Sequence, residues 1–190
     1  MSIMKSIIVI GSPRRNGNSA ILAGRVADGT RSVGGEVESY YLHEMNISPC
    51  DACDVCQEET TTECVINDDM KDLYRKLREA NALVIASPIY WFTVSAQTKI
   101  FMDRCYALEG PQGNVLRGKQ IGIVLTYLGS DPFNSGAVNA LRTFQDMFKY
   151  TGSNIVGMVY GSASKAGEIK NNITLMDKAY NMGKRFVSGV

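Results

Sequence analysis

At 190 residues, 45% of them hydrophobic, the chain has the length of one domain and enough apolar content for a packed core. A net charge of +1 excludes a broad electrostatic field for nucleic acid or for an acidic membrane surface. No apolar run approaches the ~20 residues of a membrane span, and the first residues lead into a strand without the pattern of a secretory signal, so a cytoplasmic location is expected.

Residues 6–10 are short, apolar and β-branched, and read as a buried strand. A helix is expected over about 18–33, ended by Gly34 and Gly35. The join is Gly11-Ser-Pro-Arg-Arg-Asn-Gly-Asn-Ser19. In it Gly11 and Gly17 permit a tight fold, Ser12, Asn16, Asn18 and Ser19 supply short polar side chains, and Arg14 and Arg15 supply charge. Asn18 or Ser19 is placed to cap the helix. The first N–H groups of a helix lack internal partners and carry partial positive charge, so this turn suits a dianionic phosphate. An ordinary capped strand-to-helix turn is the plain alternative. The ATP-type loop is excluded because Gly17 is followed by Asn18 with no Lys, and the dinucleotide pattern G-x-G-x-x-G is absent.

Residues 36–42 alternate as a second strand, and 47–63 are polar and cysteine-laden with no clean period. Asp68 and Asp69 open a helix to about 78, acidic first and basic later, as the helix dipole favours. The most hydrophobic segment, 82–86, predicts a central strand. A loop over 87–93, a helix over 95–107 and a turn-rich loop over 109–114 follow. A strand over 119–126 has its exit loop at 127–131. A helix over 135–150, a strand over 154–160 and a helix over 166–186 complete the chain.

Strands alternating with helices predict an α/β three-layer sandwich, with a five-stranded parallel sheet in the order 2-1-3-4-5. The whole chain, 1–190, is expected to be one domain with a cysteine-rich insertion at about 47–66. Ligands on such sheets bind beyond the C-terminal strand ends, where the winding reverses. Three loops, 11–19, 87–93 and 126–131, leave those ends, and the cysteine segment leaves the same edge. Tyr90, Trp91 and Phe92 are three consecutive aromatics in the second loop, which bury poorly unless a planar ligand or another subunit covers them. The third loop offers Thr126, Tyr127 and Gly129, a weak signal by itself. A phosphate cradle beside a planar, hydrogen-bonded ring is the outline of FMN.

Four of the five cysteines fall in Cys50-x2-Cys53-x2-Cys56-x7-Cys64. Thiols three apart can wrap one cluster from a single loop, as ferredoxin loops hold [4Fe–4S], whereas structural zinc takes two separated C-x2-C pairs. The spacing favours a cluster, with free or redox-active thiols and zinc as alternatives. Asp51, Asp54, Glu58, Glu59 and Glu63 surround the thiols. They predict a low potential for a bound cluster, or raised thiol pKa values in its absence.

The first loop, the segment Ser87-Pro-Ile-Tyr-Trp-Phe-Thr-Val-Ser-Ala-Gln-Thr-Lys-Ile-Phe-Met-Asp-Arg104 and the cysteine run together resemble the NAD(P)H-dependent FMN reductase and iron–sulfur flavoprotein family over nearly the whole chain. The resemblance implies a flavodoxin-like fold with non-covalent FMN. It implies that Ser12, Arg14, Asn16, Gly17, Asn18 and Ser19 hold the phosphate. It places Pro88, Ile89, Tyr90, Trp91, Phe92 and Thr93 along the isoalloxazine, with Thr126, Tyr127 and Gly129 approaching from the other side. Cys50, Cys53, Cys56 and Cys64 are the expected ligands of a [4Fe–4S] cluster. The expected function is an oxidoreductase passing electrons from NAD(P)H or reduced ferredoxin through FMN to an acceptor such as a quinone, free flavin, an oxygen species or the cluster. A homodimer or homotetramer is implied. The rival readings are a non-enzymatic iron–sulfur flavoprotein electron carrier and a plain phosphate-binding module. No catalytic side chain is expected, because the ring carries the chemistry. The lone histidine, His43, reads as a partly buried strand-end residue, and Cys105 as a packed thiol. Asp103 and Arg104 read as a subunit bridge or a solvated face.

Overall fold

A computed structural model describes residues 3–58, 63–110 and 113–188. Glu59 of the acidic set and Pro111 and Gln112 of the turn-rich loop lie outside the described residues. The strands are β1 (Lys5–Ile10), β2 (Glu36–Tyr41), β3 (Ala82–Tyr90), β4 (Thr93–Val94), β5 (Gln120–Tyr127) and β6 (Asn154–Ser162). The helices are α1 (Asn18–Ser32), α2 (Met70–Glu79), α3 (Ala96–Arg104), α4 (Ala137–Thr151) and α5 (Ile173–Ser188). The strand order is β2-β1-β3-β5-β6, all parallel, with β4 paired antiparallel to β3 alone. Without β4 this is the expected 2-1-3-4-5 sheet.

Side chains alternate across each strand and so feed two cores. Ile7 and Val9 of β1 and Leu83 and Ile85 of β3 pack with Leu73, Leu77, Phe101, Phe144 and Phe148 of α2, α3 and α4. Ile8, Ile10 and Val84 face the opposite way, against Leu22, Val26, Met182 and Phe186 of α1 and α5. Because both faces are covered, 82–86 is apolar without interruption, and each of its residues is fully buried.

The segment 87–93 is a correction. It is not an irregular loop: β3 runs on to Tyr90, Trp91 and Phe92 form the turn, and β4 pairs back, with Ile89 opposite Val94 and Tyr90 opposite Thr93. The last helix also starts later than expected. Gly167, at φ 84°, opens a 3-10 turn over Glu168–Asn171, and α5 begins at Ile173 with the Asn172 side chain accepting from Leu175 N at 3.0 Å. No helix among the described residues is long and apolar enough to cross a membrane.

Helices α1 and α5 touch backbone to backbone. A Cβ on Gly183 would lie 2.0 Å from Val26 O, and one on Gly29 would lie 1.9 Å from Tyr180 O. Thr30 Oγ1 also donates to Gly183 O at 3.1 Å across the pair. Gly183→Ala is therefore expected to cost about 1–3 kcal/mol of stability, as overpacking does. The midpoint of urea unfolding measures it.

Candidate functional site

A buried hydroxyl network fixes the C-terminal edge of the sheet. The β1 chain leaves at Gly11, whose N–H donates to Ala86 O at 2.8 Å. Ser95 caps α3 through its Oγ, which accepts from Thr98 N, and the same hydroxyl donates to Gly11 O at 2.8 Å. Ser95 N in turn donates to Ser87 Oγ at 3.0 Å. Ser87, Ser95 and Thr98 are all fully buried. They lock the first loop to the β3–β4 hairpin. A Cβ on Gly11 would fall 1.9 Å from Thr98 Oγ1, so that position has no room for a side chain.

Beyond this edge lies an open cleft of about 310 Å³. Ser12, Arg14, Gly17, Asn18 and Ser19 line one end; Pro88, Ile89, Tyr90 and Trp91 line a wall; Thr126, Tyr127 and Leu128 face them. The three loops named from the sequence thus share one cavity. Asn16, Phe92, Thr93 and Gly129 do not line it. Phe92 sits instead over the start of α4, where a Cβ on Gly136 would meet its Cα at 2.5 Å and Asn139 Nδ2 donates to its carbonyl at 3.2 Å.

The phosphate end is unspent. Gly17, not Asn18 or Ser19, is the N-cap of α1, and no side chain caps it. The first helical bond runs from Ile21 N to Gly17 O at 3.0 Å, which leaves the N–H groups of Asn18, Ser19 and Ala20 without helical partners. Ser19 Oγ is buried and has no hydrogen-bond partner among the described residues. No acidic residue occupies the first turn. Ser12 Oγ shapes the loop by accepting from Arg14 N at 3.1 Å.

The two arginines separate here. Arg15 pairs with Glu44 at 2.5 Å and lies 4.7 Å over the Tyr41 ring, outside the cleft. The Arg14 guanidinium makes no ion pair among the described residues. The Asn18 side chain is also engaged: its Nδ2 donates to Lys165 O at 3.0 Å and its Oδ1 accepts from Ile169 N at 3.3 Å. This staple brings in a fourth wall, Ala163, Ser164 and Ala166, which the sequence did not reveal.

Among the described residues, no carboxylate, histidine or cysteine lines the cleft. His43 is exposed rather than partly buried, and its Nδ1 lies 3.2 Å from Gln97 Nε2.

The thiols form a second cleft, of about 370 Å³, lined by Cys50, Cys53, Cys56 and Cys64 with Asp51, Asp54, Asp103 and Tyr106. The cysteine segment leaves the expected edge after β2, whose last residue, Tyr41, lies opposite Ile10. It packs against the far end of α3, where Gln57 Nε2 donates to Tyr106 O at 3.1 Å. Nine residues of helix separate that end from Ser95, a rise of about 13 Å. The non-glycine residues with positive φ among the described residues are Ala52, Asp54, Trp91 and Phe92. All belong to the cysteine segment or the aromatic turn, where such backbone strain marks function more often than folding need.

The family profile for NADPH-dependent FMN reductases matches residues 4–168. An iron–sulfur flavoprotein of Methanocaldococcus jannaschii is 33% identical over 96% of this chain and 95% of its own. The chain belongs to the NADPH-dependent FMN reductase family. A putative NAD(P)H-dependent FMN-containing oxidoreductase of Bacillus subtilis is 25% identical over 96% of this chain and 98% of its own. Among solved structures, an NAD(P)H:quinone oxidoreductase from Methanothermobacter marburgensis shares the flavodoxin-like fold, with a TM-score of 0.77, 15% identity and 97% of each chain covered.

As a member of this family the protein is a flavin-dependent oxidoreductase with FMN as its cofactor. The cleft fits that group: three unpartnered helical N–H groups, the orphaned Ser19 hydroxyl and a free guanidinium suit a phosphate, and the aromatic wall suits a ring. For the thiols the fit is one of donor type. Four cysteines line one cleft, although among the described residues no three His, Cys, Asp or Glu side chains close in as a single ion requires. Asp51 and Cys53 interact as the sequence foretold. A backbone contact with Val55 favours the Cys53 thiolate, but Asp51 and desolvation outweigh it, and the thiol pKa is raised. Cys105 is buried, which drives its thiol pKa strongly upward, in keeping with a packed residue.

Arg104 is the largest departure from the sequence reading. It is neither a bridge nor a solvated face but is 1% exposed, and it pairs at 2.5 Å with an Asp68 carboxylate that is 2% exposed. Asp103 is the solvated member, bonded to Lys99 at 2.6 Å.

Proposed function

We propose that the protein takes electrons from NAD(P)H into FMN bound in the 310 Å³ cleft and passes them to a small acceptor such as a quinone. The observation that carries this reading is the pairing of an unspent anion cradle with an aromatic wall in one cavity. FMN, when bound, supplies the hydride and electron chemistry. The chain's part is to bind, orient and exclude water. The N–H groups at 18–20, Ser12, Ser19 and Arg14 hold the phosphate, and Asn18 holds the fourth wall in place. Tyr90 and Trp91 flank the ring, and Thr126 and Tyr127 close the opposite side. On this reading the whole chain is one flavin-binding unit, with 47–66 inserted into it.

The test is direct. Purified protein should show flavin absorbance and steady NAD(P)H oxidation with a quinone or ferricyanide as acceptor. A colourless preparation that FMN cannot reconstitute would refute the reading. Arg14→Ala removes a charge-assisted bond to the phosphate, worth about 1.5–3 kcal/mol. FMN affinity should fall roughly 10–100-fold, measured by titrating apoprotein and following flavin fluorescence.

A second reading is favoured by the cysteine cleft: an iron–sulfur flavoprotein in which Cys50, Cys53, Cys56 and Cys64 hold a [4Fe–4S] cluster. A cluster takes one thiolate per iron and so spreads its ligands wider than a single ion does. It would store single electrons in the same protein as the flavin. Reduction by ferredoxin but not by NAD(P)H would mark the protein as a carrier. Trp91, Phe92, Leu128 and Phe133 are each more than half exposed on the flavin side. Their exposure supports a homodimer or homotetramer with the flavin near the subunit boundary. A sizing column that reports monomer with flavin bound would contradict the assembly.

A further inference from the structure

The buried ion pair sits where both ends of the cysteine segment return to the body of the protein. Arg104 Nη1 donates to Ser48 O at 2.8 Å, two residues before Cys50. Its Nη1 and Nη2 grip Asp68 Oδ2 and Oδ1 at 2.5 and 3.2 Å. Nη2 also donates to Cys64 Sγ at 3.4 Å. Asp68 completes the clasp, its Oδ2 accepting from Ser48 N at 2.9 Å and its Oδ1 from Met70 N at 3.0 Å. Tyr74 Oη fixes the base of the arginine by donating to Arg104 O at 2.8 Å. Cys50 and Cys53 are exposed, Cys56 and Cys64 are half-buried, and among the four only Cys64 is bonded to a buried cation.

We propose that Arg104 is the positioning residue of the thiol site: it clasps the cysteine segment at both ends and presents the Cys64 sulfur to a bound iron–sulfur cluster. This rests on the reading that the four cysteines form one donor set. A guanidinium suits the task because its planar fork satisfies carboxylate, carbonyl and sulfur at once. Its charge offsets Asp68 and still leaves a polarised N–H on the sulfur. Lysine, a point donor on a flexible stem, cannot reach all three. Burial makes the arrangement stiff, so the ordering cost of the fourth ligand is met on folding and not on cluster binding.

The test uses full-length protein reconstituted anaerobically with ferrous iron and sulfide, and compares wild type, Cys64→Ser, Arg104→Lys and the double variant Arg104→Met with Asp68→Asn. The double variant removes both buried charges together, so that neither is stranded, and the introduced amide oxygen keeps an acceptor for one of the two N–H groups, of Ser48 and Met70, that the carboxylate holds. Iron transfer to a ferrous chelator is timed, and the spectrum of the reduced cluster is recorded by electron paramagnetic resonance. FMN content and thermal midpoint serve as controls for folding. The expected result is iron loss at least ~10-fold faster in the double variant, the usual penalty for removing a partner of a ligand. Cys64→Ser should lose iron at least as fast, Arg104→Lys should fall between, and the resonance should change while FMN content does not. Wild-type retention and spectrum in the double variant, with Cys64→Ser defective, would overturn the role of Arg104 and leave the donor set standing. Retention by Cys64→Ser would also overturn the role. If the wild type assembles no cluster, the donor set falls and the proposal falls with it.

Discussion

Replacing Arg104 by methionine alone is expected to lower the unfolding free energy by about 3–5 kcal/mol, because it strands the Asp68 carboxylate in the interior. The side chains are 1% and 2% exposed, so water cannot replace the lost partner. In a protein of this length that loss moves the thermal midpoint down by roughly 10 °C. Adding Asp68→Asn should recover most of it, since removing both charges abolishes the desolvation penalty instead of leaving half of it. The pair also sets an acid limit. Burial pushes the Asp68 carboxyl up, but the Arg104 guanidinium and the Ser48 and Met70 N–H groups outweigh it and hold the pKa below its usual value. A carboxyl depressed in the folded state contributes stability above the unfolded pKa, about 4, and loses it as pH falls through the folded one. The gap between wild type and Arg104→Met should therefore be widest at pH 7, begin to close above about pH 4 as the stranded carboxyl of the variant takes up its proton, and go on closing until pH falls through the folded wild-type value. Urea unfolding at a series of pH values measures it.

Changing Trp91 to Asn together with Phe92 to Gly is expected to stabilise the protein while weakening its hold on flavin. The two residues form a two-residue hairpin turn with φ of 48° and 70°, a geometry that Asn-Gly adopts without strain. Non-glycine residues in that region cost about 1–3 kcal/mol each, so a net gain of about 1–2 kcal/mol should remain after the added chain entropy of glycine. Trp91 is 91% exposed and lines the 310 Å³ cleft proposed for the flavin, and nothing in the fold requires its indole. Loss of that ring should weaken FMN binding roughly tenfold or more. If stability and affinity fall together, the turn serves the fold and not the ligand.

The sheet was legible because its signals are local. The alternation of Ile7, Ile8, Val9 and Ile10 between two cores, the unbroken run 82–86 and the small residues of 11–19 each follow from neighbours in sequence. The residues that were missed act over long separations. Arg104 meets Asp68 across 36 positions, and Ser95 meets Gly11 across 84. Asn18 is drawn to Lys165 across 147, which no period or motif announces. The hairpin at 91–92 went unrecognised because its turn residues are aromatics where Asn and Gly are the usual signal. The spacing of the cysteines drew attention to them, but their place against α3 rests on contacts far apart in sequence, such as that of Arg104 with Ser48 across 56 positions.

The account turns on a mononucleotide held by its phosphate at the start of α1, and the most direct measurement compares FMN with riboflavin on the apoprotein. The two flavins share the ring that Tyr90 and Trp91 would flank and differ only in the group that the N–H donors of 18–20, Ser19 and Arg14 would hold. Calorimetric titration should show riboflavin binding at least ~100-fold more weakly, the worth of two or more charge-assisted bonds. Equal affinity for the two flavins would contradict the account.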